Sequence, residues 1–102
     1  MRIINIERGA GKTTECIRRC INLSKGHKRV VLVVSNEIQV EAIKEDWPKA
    51  TSALFDVASF YNMTHNRLRD KRYDVAVIDD LDYCLGQLLN TEVDTVALTK
   101  TE

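Results

Sequence analysis

The sequence predicts an α/β fold: three layers, helix on sheet on helix, around a mainly parallel five-stranded sheet. Short apolar runs alternate with segments of helical period along the 102 residues. The run Val30-Val31-Leu32-Val33-Val34 is apolar without alternation, the pattern of a parallel strand covered on both faces. Gly9-Ala10-Gly11-Lys12-Thr13 then stands where the first apolar run gives way to the first helical pattern, and strands alternating with helices argue for right-handed crossovers in one sheet.

Each element follows from its residues. Arg2 to Ile6 reads as a short buried strand through Ile3, Ile4 and Ile6, and from Thr13 the residues Cys16, Ile17, Cys20 and Ile21 mark one face of a helix. Ser24-Lys25-Gly26-His27-Lys28 is a polar turn with a glycine suited to a helix end, and Val30 to Val34 is the second strand. Asn36 and Gln39 have capping-box-like spacing before a helix carrying Ile38, Ala42, Ile43 and Trp47, which Pro48 closes. Ser52 to Val57 is a third, weaker strand. Ser59 caps a short helix through Phe60, Met63 and Leu68, and Tyr73 to Ile78 forms a fourth strand. Leu81, Cys84, Leu85, Leu88 and Leu89 keep a helical period, and Val93 to Leu98 makes the fifth strand.

Residues 1–102 are expected to form one domain, since 44% apolar residues support a modest core and the length leaves no room for a second. Fifteen basic and fifteen acidic residues cancel, which excludes a global field for nucleic acid or an anionic membrane. No apolar run approaches the roughly 20 residues of a membrane helix, and no signal-peptide pattern opens the chain. A cytoplasmic location without membrane contact is expected. The three cysteines, Cys16, Cys20 and Cys84, lack metal-ligand spacing and read as buried reduced thiols.

The chemistry concentrates in two places. In Gly9-Ala10-Gly11-Lys12-Thr13-Thr14 the glycines let backbone N–H groups turn around phosphates, Lys12 neutralises the outer phosphates, and the Thr13 hydroxyl can ligate Mg2+. This points to a P-loop, or Walker A element, with one departure: the pattern asks for glycine where Ile6 stands. Val75-Ala76-Val77-Ile78-Asp79-Asp80 is an apolar strand ending in two carboxylates, and the C-terminal end of a parallel strand faces the crevice in which such sheets bind ligands. It reads as Walker B. Asp79 is the expected Mg2+ residue, and Asp80 the expected acid that orients or deprotonates the attacking water. Asp80 is one methylene shorter than the usual glutamate, so slow turnover is expected. Asp82 is a second candidate for that acid, with the helix N-cap as its competing reading.

With these motifs the chain resembles P-loop NTPases of the RecA-like class, and most closely the first motor domain of superfamily 1 and 2 helicases and the ATPase domain of phage large terminases. The likeness covers nearly the whole chain. Gly9 to Thr14 is similar to their first motif, Val31 to Ser35 to the strand feeding the second, and Phe55 to Phe60 to the strand before the acidic motif. Val77 to Asp80 resembles the acidic motif itself and Leu98 to Thr101 the coupling motif, in which Thr99 would be a polar sensor. Arg8 stands four residues before Lys12, where terminases carry an arginine proposed to act on the γ-phosphate in cis, against a reading as a solvent-facing loop arginine or one paired with Glu7. The resemblance implies ATP or another NTP with Mg2+, and a partner or second copy, since motors of this class use a second domain. It also implies a nucleic-acid process and a virus-encoded origin. The stretch Arg67 to Arg72 is the local candidate for nucleic-acid phosphate, against a solvated helix end.

Two further classes compete. Gly11 to Arg19 is also similar to the loop and helix of thymidine kinases, although no cysteine pair here has the zinc-ligand spacing of that family's lasso. Ile6 and Asp80 instead favour a nucleotide-gated interaction protein without efficient catalysis.

Overall fold

The computed structural model describes residues 11–65 and 72–97. Its first element is α1 (Lys12–Ser24), which buries Cys16, Ile17 and Cys20, the face its apolar spacing marks. The turn that follows carries its left-handed residue at His27 (φ 62°), not at Gly26. The Gly26 N–H still reaches back to the Leu23 carbonyl at 3.1 Å, closing the helix end.

All five residues of β1 (Val30–Val34) are buried. In α2 (Glu37–Asp46) the Asn36 side chain accepts the Gln39 N–H at 2.9 Å, as the capping spacing requires. Pro48 does more than end α2: it begins α3 (Pro48–Ala53), because its fixed φ suits a first helical turn. The third strand expected from Ser52 is therefore shifted, and β2 runs over Asp56–Ser59. Ser59 then caps α4 (Phe60–Thr64) by accepting the Asn62 N–H at 3.2 Å. Leu68 lies outside the described residues. The acidic strand is β3 (Val75–Ile78), and α5 (Leu81–Leu89) follows it.

Among the described residues the sheet has three parallel strands in the order β2-β1-β3, not the five expected. The segment Arg2 to Ile6 lies outside them, and residues 93–97 are not in a strand. Two valines and a threonine give that stretch β-propensity, but propensity without a paired edge makes no strand. Val96 is correspondingly exposed.

The core lies on both faces of β1. Val30, Leu32 and Val34 meet Ile17 and Cys20 of α1 and Val40 and Ile43 of α2, while Val31, Val33 and Ala58 meet Phe60 and Met63 of α4 and Tyr73. The Tyr73 hydroxyl donates to Asp56 at 2.6 Å, tying the approach to β3 to the far strand β2. Burial and this acceptor raise the phenol's pKa. No helix among the described residues is long and apolar enough to cross a membrane.

Candidate functional site

The site forms where α1 begins and β3 ends. Gly11 sits at φ 81°, ψ 22° directly before α1, a left-handed conformation that an L side chain adopts at a cost of about 1–2 kcal/mol. Space is not the reason for glycine, since a Cβ there would meet nothing within 4 Å. The turn aims the first residues of α1, Lys12 and Thr13, at the end of the sheet.

Asp79 is the first residue beyond β3, and its N–H donates to the Val33 carbonyl at 2.9 Å, which pins it beside β1. Its side chain is buried at 4% exposure. One carboxylate oxygen, Oδ2, accepts the Thr13 hydroxyl at 2.9 Å. The other, Oδ1, is buried without a hydrogen-bond donor among the described residues. Among the described residues its nearest cation is the Lys12 ammonium, 3.9 Å away. Burial normally demands a donor for such an oxygen.

Lys12 also hydrogen-bonds the Asp80 carboxylate directly. Asp80 adopts φ 58°, ψ 50° at the start of α5 and makes no side-chain cap there. A non-glycine residue in that region is uncommon, and aspartate is among those that tolerate it. The conformation turns the carboxylate away from the role its residue type favours, N-capping, and toward the lysine. Asp82, the alternative cap, lies inside the first turn of α5.

The thiols are structural. Burial pushes Cys16 up to about 11, with the nearby Asp79 carboxylate adding to it, and Cys20 up to about 12. Cys84 is raised by the same causes, and its Sγ donates to the Asp79 carbonyl at 3.8 Å. A protonated thiol is a poor nucleophile and a poor metal ligand.

Lys12, Thr13 and Asp80 open onto a cleft of about 500 Å³. Gly11 to Thr14 contribute one part of its wall, Ser35, Asn36 and Gln39 at the end of β1 and start of α2 another, and Asp80, Asp82 and Tyr83 a third. Of the residues expected from sequence, Lys12, Thr13, Asp79 and Asp80 thus come together, while Thr14 lines the cleft without touching the acids. Arg8, Gly9, Ala10 and Thr99 lie outside the described residues, as do Arg67 to Lys71.

Ser35 and Tyr83 carried no signal of a site role, and Asn36 and Gln39 only that of a cap. Their position was legible only in principle, because the C-terminal ends of adjacent parallel strands share one crevice.

No protein-family model, curated protein or solved structure matches the chain.

Proposed function

We propose that this protein is a RecA-like P-loop module that binds ATP or another nucleoside triphosphate with Mg2+ and hydrolyses it slowly. The observation that carries this reading is the meeting of Thr13 with buried Asp79, and of Lys12 with Asp79 and Asp80, across more than 60 positions of sequence. Each residue has the chemistry its place requires. The N–H groups at the start of α1 and the Lys12 ammonium suit phosphate oxygens. The Thr13 hydroxyl and the unpartnered Asp79 oxygen suit a hard cation.

The described residues contain no group of three or more His, Cys, Asp or Glu side chains able to hold a metal by themselves. Mg2+ takes one or two carboxylates and completes its shell with water and phosphate. When bound, Mg2+ would neutralise charge on the outer phosphates. Lys12 would orient those phosphates at the mouth of α1, and Asp80 would take the proton of the attacking water. With Asp80 already engaged by Lys12, the base must be released before it can act, which accords with slow turnover.

The same engagement favours a second reading, a nucleotide-gated interaction protein with no efficient catalysis. In either reading we propose that the module works with a partner subunit or a second copy, in nucleic-acid transactions of the helicase or packaging kind.

The test is ATP binding and phosphate release by wild type, Lys12→Ala and Asp80→Asn, with and without single-stranded and duplex DNA. Release lost in both variants supports the hydrolase, and DNA stimulation supports the motor setting. Binding without release supports the gated protein, and transfer to thymidine would replace both readings by a kinase. No binding at millimolar ATP would refute the nucleotide site itself.

A further inference from the structure

We propose that the open edge of β3 is a seat for residues 2–6 of the same chain, which lie against it as a fourth parallel strand. In the order β2-β1-β3, strand β1 already has a neighbour on each side. A further strand can join this sheet only beyond β2 or beyond β3.

Handedness chooses between the two edges. α1 and α2 cover the same face of the sheet, since Ile17 and Cys20 of the first and Val40 and Ile43 of the second meet Val30, Leu32 and Val34. From β1 the chain crosses through α2 to β2, a step in one lateral direction. Crossovers between parallel strands are right-handed in nearly all cases, so two of them on one face must step the same way. A parallel strand that enters β1 through α1 therefore starts on the side away from β2, and the place there is the outer edge of β3. The connection from β2 to β3 obeys the same rule, because it steps the opposite way with α4 on the opposite face.

That edge is unfilled among the described residues. The N–H groups of Val75 and Asp79 donate towards β1, to the Arg29 and Val33 carbonyls at 3.3 and 2.9 Å. By the alternation of a strand, those of Ala76 and Ile78 point the other way. Both residues are also exposed, Ile78 at 41%, in a parallel sheet whose strands are ordinarily covered on both faces. Residues 93–97 do not fill the place, since they are not in a strand.

The chain is placed to reach it. Lys12 and Thr13 touch Asp80 and Asp79, so α1 begins at the C-terminal end of β3. A neighbouring strand lies about 4.8 Å away, whereas the five steps from Ile6 to Gly11 span up to about 17 Å. Arg2-Ile3-Ile4-Asn5-Ile6 is long enough for the four residues of β3, and its alternation gives isoleucine to both faces. With the seat filled, residues 7–10 carry the chain across the end of β3 to the cleft.

Amide hydrogen exchange of the full chain, read residue by residue by NMR, tests the seat. The Ala76 and Ile78 amides should exchange at least about a hundredfold more slowly than those of exposed turns, at a rate independent of protein concentration. Nuclear Overhauser contacts should join Val75–Ile78 to residues 2–6. Ile4→Asp puts a charge into the added strand and should speed exchange at Ala76 and Ile78 about tenfold or more while Leu32 stays protected; should that variant not fold, the wild-type contacts decide alone. Fast exchange at both amides, contacts to residues 93–97 in place of 2–6, or protection lost on dilution, the mark of a second copy pairing through β3, would overturn the seat. None of these readouts involves nucleotide, so the nucleotide site can fail while the seat stands, and the reverse.

Discussion

Thr13→Val isolates the bond that joins the loop helix to the acidic strand. Valine keeps the shape of threonine but cannot donate, so Asp79 loses the 2.9 Å bond to Oδ2 while Oδ1 already has no donor. The buried carboxylate would then have no hydrogen bond to either oxygen among the described residues. A hydrogen bond to a charged group contributes about 1.5–3 kcal/mol, and stranding a buried acceptor costs about as much. Thr13 is half-buried, so water can partly replace its hydroxyl, which places the expected loss near 2 kcal/mol. For a domain of this size that lowers the melting midpoint by roughly 8–16 °C.

Urea unfolding measures it directly: the midpoint should fall with the slope unchanged, and Thr13→Ser should restore most of the loss. In an Asp79→Asn background the same substitution should cost less, with a coupling of at least about 0.5 kcal/mol. An unchanged midpoint for Thr13→Val, or full additivity with Asp79→Asn, would refute the claim that this bond holds the two halves of the site together.

Other substitutions probe the frame. Gly11→Ala should destabilise by about 1–2 kcal/mol through its backbone alone, since the site has room for the methyl group; thermal melting of that variant reads the cost. Asn36→Ala removes the α2 cap and should lose about 1 kcal/mol in denaturant titration. Leu32→Ala, at the centre of the sheet and fully buried, should lose about 2–5 kcal/mol or abolish cooperative unfolding. The thiols give a pH signature. Folding raises Cys16 to about 11 and Cys20 to about 12 from an ordinary 9.0. Below pH 9 both states hold these protons and add no slope; above it the unfolded chain releases them first. Stability should therefore fall as pH rises from about 9 towards 12, and Cys20→Ala should flatten that decline in melts taken across the range.

The elements that the sequence alone determined are those governed by local pattern. The unbroken apolar run of β1 can be satisfied only by cover on both faces, and it is wholly buried between parallel neighbours. The face of α1 and the caps at Asn36 and Ser59 likewise follow from spacing and from oxygen-bearing side chains within three residues of a free N–H, whereas in α5 only Cys84 of the apolar series is buried and Leu88 and Leu89 are exposed. The meeting of Lys12 and Thr13 with Asp79 and Asp80 was also legible, because the start of a helix and the end of a parallel strand share one crevice.

Boundaries that depend on competition were not legible in this way. Pro48 both ends one helix and begins another, so α3 claims residues that β-propensity assigns to a strand, and residues 93–97 pair with no edge despite their valines. The state of the opening loop's lysine is decided by tertiary structure alone. Whether its ammonium stands free or on a carboxylate depends on the strand order that brings Asp79 beside Val33, and on the left-handed turn at Asp80 that swings the second acid away from α5. Sequence spacing records which charges a chain carries, but attraction falls off with distance in space, and only the folded sheet sets those distances.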